Sequence, residues 1–95
     1  MGIEDLCGLL KKKGFRDVYQ ILTPLKNNTC EKHNFYDELN KFSYYNSFFR
    51  IKDELMNRGI IDIQKDDGKK FITLTKKGLE VYKKLEEISD IIEGN

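Results

Sequence analysis

The stretch IDIQKDDGKKFITL, residues 61–74, constrains the fold most, because it can be registered without reference to the rest of the chain. Asp-Gly at its centre favours a two-residue type I′ turn, whose central residues both take positive φ. Pairing outward from Asp67 and Gly68 sets Asp66 against Lys69, Lys65 against Lys70, Ile63 against Ile72 and Ile61 against Leu74. These apolar residues then share one side of the ribbon, as the period of strands requires. Nothing in the choice of turn forced that agreement. The spacing predicts a β-hairpin with one apolar face, and such a face has to be covered.

Helical periodicity supplies the cover. After the hairpin, Thr75 is placed to cap a helix over 76–92. Its Val81, Leu85, Ile88 and Ile92 form one narrow stripe, while Leu79 and Tyr82 lie toward another side. At the other end Ile3, Leu6, Cys7 and Leu10 make a stripe for a helix over 1–13. Lys11, Lys12 and Lys13 suit its last turn and Gly14 a left-handed cap. A second helix starts at Phe15 with Val18, Ile21, Leu22 and Leu25 on one face. Pro24 takes away the hydrogen bond to the Gln20 carbonyl, so this helix should kink or end near Thr23.

Thr29–Lys32 reads as a short strand, and Asn34 as the N-cap of a two-turn helix carrying Phe35, Leu39 and Phe42. Ser43 is expected to cap a third helix over 44–58, stopped by Gly59. On it Tyr44, Phe48, Ile51 and Leu55 share a face that should be buried, with Phe49 and Met56 as flanking core beneath the hairpin. Two short helices joined by a few residues are a helix-turn-helix arrangement. The expected class is mainly α with a small β-hairpin, α+β, as a single domain over 1–95.

With 39% apolar and 12% aromatic residues the chain can build one core. It has no apolar run of about 18 residues, and its N-terminus places acidic residues before apolar ones, the reverse of a secretory signal. A cytoplasmic protein with no membrane partner is expected. Cys7 and Cys30 are too few for a disulfide framework. Cys30 and His33 have a metal-like spacing, but a closed zinc site needs four ligands, so neither metal nor cofactor is expected. The only histidine has no nucleophile tied to it beyond Cys30, and there is no Gly-rich phosphate loop. An enzyme is not expected, and no small-molecule effector is evident.

The 17 basic and 16 acidic residues are unevenly spread. Residues 41–77 hold nine basic and five acidic groups, a net +4, against 0 for 1–40 and −3 for 78–95. A local basic segment matters more to a polyanion than the total does.

The order helix, helix, short strand, helix, helix, hairpin, helix resembles a winged helix-turn-helix domain with extra N- and C-terminal helices. Phe48, Ile51, Leu55 and Gly59-Ile60-Ile61 are similar to the third-helix pattern of MarR- and PadR-like regulators, where spaced apolar residues precede Gly-Leu-Ile. Phe71-Ile72-Thr73-Leu74-Thr75-Lys76-Lys77-Gly78-Leu79 resembles the strand-to-helix junction those proteins share with small archaeal winged-helix DNA-binding proteins. The resemblance covers about residues 15–88, with 15–75 as the winged-helix core. Pro24, and Lys41-Phe42 where many relatives have Leu-Gly, depart from the pattern and bear on helix boundaries.

The resemblance implies a DNA-binding transcriptional regulator. Its helix 44–58 would enter the major groove of double-stranded DNA, and its wing, 61–74, would touch the backbone. Asn pairs bidentately with adenine and Arg with guanine, which makes Asn46 and Arg50 the candidate base readers. Ser43, Tyr45 and Ser47 lie beside them at the helix start. Asp53 would repel phosphate, so contact should stop near Arg50. Lys65, Lys69 and Lys70 at the hairpin tip are candidate phosphate contacts; alternatively they blunt the edges of a two-stranded ribbon.

A homodimer is expected through Val81, Leu85, Ile88 and Ile92, whose spacing is a coiled-coil seam, helped by Ile3, Leu6 and Leu10. The alternative is that both stripes pack together within one chain. The near-neutral total charge keeps a second function open, a winged-helix module for protein–protein contact without sequence-specific DNA binding.

Overall fold

The computed structural model describes residues 1–94, so the last residue of the expected domain lies outside them. Two helices, α1 (Ile3–Lys11) and α2 (Lys13–Leu22), precede a strand, β1 (Thr29–Glu31). Three more helices follow, α3 (Lys32–Phe42), α4 (Tyr45–Phe49) and α5 (Lys52–Asn57). Strands β2 (Ile61–Asp66) and β3 (Lys69–Leu74) then lead into α6 (Lys76–Ile92). The chain is mainly helical, with one small antiparallel sheet in the order β1-β3-β2.

The hairpin has the register derived from its turn, from Asp66 opposite Lys69 to Ile61 opposite Leu74. Asp67 and Gly68 have φ of 50° and 79°, the positive values the tight turn needs. The ribbon is not two-stranded, however. Cys30 of β1 pairs with Ile72, which puts β3 in the middle of the sheet.

Packing corrects several helix boundaries. Lys12 is extended between α1 and α2, and Gly14 lies inside α2 rather than in a left-handed cap. There a Cβ would collide with the Ser47 carbonyl, so the glycine allows α2 and α4 to cross closely. α2 does stop where Pro24 requires, and Asn28 Nδ2 donates to the freed carbonyls of Leu22 and Thr23 at 3.0 and 3.2 Å. Leu25 therefore falls outside the helix and is exposed. α3 starts at Lys32, with Asn34 inside it, and runs 11 residues, longer than the expected two turns.

Helix 44–58 is the largest departure. It breaks between α4 and α5, where the Ile51 amide bonds to Phe48, three residues back, instead of four. The break adjoins Ser47, whose carbonyl is pressed against Gly14. Phe48, Ile51 and Leu55 are buried as expected, but Tyr44, Phe49 and Met56 are exposed. Gly59 stops α5 at a φ of 74°. Ile60 and Gly59 donate back to the Leu55 and Met56 carbonyls, a Schellman closure.

The core joins Phe15, Val18 and Leu22 of α2 with Phe35, Leu39, Phe48, Leu55 and the inward faces of β2 and β3. Thr75 caps α6 by accepting from the Gly78 amide at 2.9 Å. Tyr82 ties α6 to α2, its hydroxyl donating to the Phe15 carbonyl at 2.6 Å. On α1 the buried residue is Leu9, which lies off the expected stripe; Leu6 and Leu10 are half-buried, and Ile3 and Cys7 exposed. Among the described residues no helix is long and apolar enough to cross a membrane.

Candidate nucleic-acid interface

Lys65, Lys69 and Lys70 stand exposed at the hairpin tip, and no carboxylate among the described residues forms an ion pair with them. The tip adjoins the start of α3, because Glu31 at the end of β1 pairs with Phe71. Lys32, His33 and Tyr36 thus share a depression with Lys69 and Lys70. His33 is held by Asp37 at 3.3 Å.

Asn46 and Arg50 are exposed on α4 and at its C-cap, and Arg50 has no ion pair among the described residues. Asp53 falls on α5, beyond the break, which limits the presented helix to the residues before Arg50. Arg50 borders a second depression with Lys12, Lys13 and Tyr44. The lysine run at 11–13 pointed only to a helix end; the α2–α4 crossing brings two of these lysines beside Arg50. Lys12 is partly committed to Glu54 at 2.9 Å. Lys12 and then Arg58, both donating to Glu54, hold its carboxyl below the ordinary carboxylate range.

Ser43 and Ser47 turn inward. Both hydroxyls donate to Oδ2 of Asp17, at 2.7 and 2.8 Å, and Ser47 is 7% exposed. Neither is free to meet a ligand, and Ser43 caps the end of α3 instead of starting the next helix. Asp17 is itself 2% exposed, with Lys13 3.8 Å away. The signal was present in the sequence: Asp17 lies four residues before Ile21, on the apolar stripe of α2. A carboxylate there needs donors.

The sequence reading also missed a ladder of aromatic rings. Tyr36 stacks on Tyr45 at 4.8 Å and 28°, and Tyr45 on Phe49 at 5.4 Å and 22°. The Lys52 ammonium lies over the Phe49 ring, 5.2 Å from its centroid. Burial first, then the neighbouring Tyr45, pushes the Tyr36 hydroxyl up to about 12. The i, i+4 pair Tyr45 and Phe49 was the available clue.

The terminal helices hold the residues expected at a dimer seam. Leu6 shares a depression with Val81, Leu85 and Ile88, so part of the seam is covered within the chain. Ile88, Ile91 and Ile92 remain 47%, 74% and 79% exposed. Of the two free cysteines, Cys7 is exposed, and burial pushes the Cys30 thiol up. No protein-family model matches the chain, and comparison with curated proteins and with solved structures finds no match.

Proposed function

We propose that this chain is a winged helix-turn-helix regulator that binds double-stranded DNA with α4 and the β2–β3 hairpin. The observation that carries the reading is that Asn46 and Arg50 stand exposed with cations near them, Arg50 itself without an ion pair among the described residues. Lys12 and Lys13 border the same depression as Arg50, while Lys69 and Lys70 share another with Tyr36, whose ring stacks on Tyr45 of α4. Phosphates would be met by Lys65, Lys69 and Lys70, each contact releasing counterions. Asn46 and Arg50 would read base edges. The element order, with a three-stranded sheet placing its last strand centrally, supports the winged-helix assignment.

Fluorescence anisotropy on random and selected duplexes at two salt concentrations tests this. Arg50→Ala should lower affinity for a preferred site by about 1–3 kcal/mol and relax base choice there. Neutralising Lys69 and Lys70 together should weaken binding to all sequences and flatten the salt slope by roughly two units. No binding to any duplex at low salt would favour the protein-contact reading, which the net charge of +1 supports.

The uncovered isoleucines at the end of α6 support a homodimer, which would set two copies of α4 at matching half-sites. Ile91 joins the seam expected from Ile88 and Ile92. Sedimentation should find a dimer at micromolar concentration, and a folded monomer for the Leu85→Glu, Ile88→Glu variant. A folded, monomeric wild type would refute the dimer.

A further inference from the structure

The aromatic ladder lies where the proposed DNA contact would be. Tyr45 and Phe49 are 46% and 50% exposed on the same short helix as Asn46, next to Arg50. Neighbouring exposed rings mark an interaction site more than scattered ones do. Two ligands could use it, unpaired bases or the apolar groups of a duplex groove, and the ring geometry decides between them. Single-stranded nucleic acid binds by laying bases on open ring faces. Here ring faces already carry partners: Tyr45 stacks on both Tyr36 and Phe49, and the Lys52 ammonium lies over the Phe49 ring. Stacking also holds the rings in place and leaves less open face for a base to lie on.

In a major groove the apolar group available to such rings is the thymine C5-methyl. Asn46, the neighbour of Tyr45 on α4, has the donor–acceptor pair that fits adenine N7 and N6. Cations around the ladder, Arg50 on one side and Lys32, Lys69 and Lys70 on the other, outnumber the carboxylates Glu31 and Asp37 in the same depression and favour a polyanion over an apolar protein surface. We propose that Tyr45 and Phe49 read thymine methyl groups, so that the preferred duplex is A·T-rich. This rests on the DNA-binding reading and names the feature that DNA must carry.

Replacing thymine by deoxyuridine removes only the methyl and leaves pairing and charge in place. Anisotropy titrations would compare an A·T-rich duplex, the same duplex with deoxyuridine, a G·C duplex and single-stranded oligothymidine. Each methyl removed from contact should weaken wild-type binding about fourfold, the value of one buried methylene. Phe49→Ala should bind the thymine duplex more weakly and lose most of the discrimination against deoxyuridine. Equal wild-type affinity for the thymine and deoxyuridine duplexes would overturn the inference and leave DNA binding standing. So would discrimination that Phe49→Ala retains in full, or tighter binding to oligothymidine than to duplex. Failure to bind any duplex at low salt would instead remove the DNA reading itself. The wild-type comparison needs no variant, so it decides even if Phe49→Ala folds poorly.

Discussion

The β2–β3 hairpin carries its lysines on a frame that closes on itself. Each residue from Ile61 to Asp66 faces a partner on β3, and the turn between them adopts its positive φ values locally. α4 carries Asn46 and leads to Arg50 with only five residues of helix, far below the length at which a helix is stable alone. Its position comes from α2: Gly14 lets the helices touch, and Asp17 accepts from the hydroxyls of Ser43, at the turn before α4, and Ser47, on α4. Changes to the lysine side chains at the hairpin tip should therefore act on binding alone. Changes under α4 should act on stability and binding together.

The strongest way to break this contrast is Gly14→Ala. In an unconstrained helix the substitution stabilises by up to about 1 kcal/mol. At Gly14 the new Cβ meets backbone, the Ser47 carbonyl, which cannot rotate away. Overpacking should reverse the sign and cost about 2–3 kcal/mol. Gly8→Ala on α1 is the control, since its Cβ would meet nothing within 4 Å. Denaturant melts should move in opposite directions for the two variants. Equal and positive shifts would mean that the close crossing does not hold α4.

Asp17→Ala should come next. It leaves the buried Ser47 hydroxyl without its acceptor and should cost about 1–2 kcal/mol. Asn keeps one oxygen for the serines and should cost less. A fall in affinity for duplex DNA beyond the loss of folded protein would show that Asp17 positions α4.

The same contrast explains what could be read in the sequence. Hairpin register follows from a turn and a period of two, both local, and every pair derived from Asp67-Gly68 is present. The stops at Pro24 and Gly59 and the cap at Thr75 are local as well. Helix 44–58 has a good apolar period, and nothing in that period shows that Ser47 is drawn to Asp17, 30 residues earlier. The inward turn of Ser43 and Ser47, the break at Arg50 and the pairing of the expected strand β1 with β3 are tertiary facts. Of the candidate site, the lysines, Tyr45, Asn46 and Arg50 do stand outward, because exposure was all their reading required. The ladder was not legible because Tyr36 joins it from another helix.

On the hairpin side the largest stability effect should come from Gly68→Ala. Its φ is 79° and an added Cβ would touch nothing within 4 Å, so only the backbone conformation is penalised, by about 1 kcal/mol. Thermal melts should show this loss, while the salt slope of DNA binding stays that of the wild type. A changed slope would mean that the tip lysines depend on the turn more than the closed frame implies.

The smallest effect separates the two regions by pH. Glu54 on α5 joins Lys12, between α1 and α2, to Arg58 at 2.9 and 3.0 Å, and so extends the remote support of the helical half. Because its folded-state pKa is depressed, its contribution is complete above the ordinary carboxylate range of about 4.3. That contribution is lost as pH falls through the lower folded value. The pair is largely solvated, so Glu54→Gln should cost no more than about 0.5 kcal/mol at pH 7. The difference from wild type should shrink at an acid pH below the carboxylate range and in about 1 M salt, where screening is strong. None of the hairpin lysines pairs with a carboxylate among the described residues. Urea titrations of wild type and Glu54→Gln at both pH values decide it: a difference that persists unchanged in acid would assign the effect of Glu54 to packing, not charge.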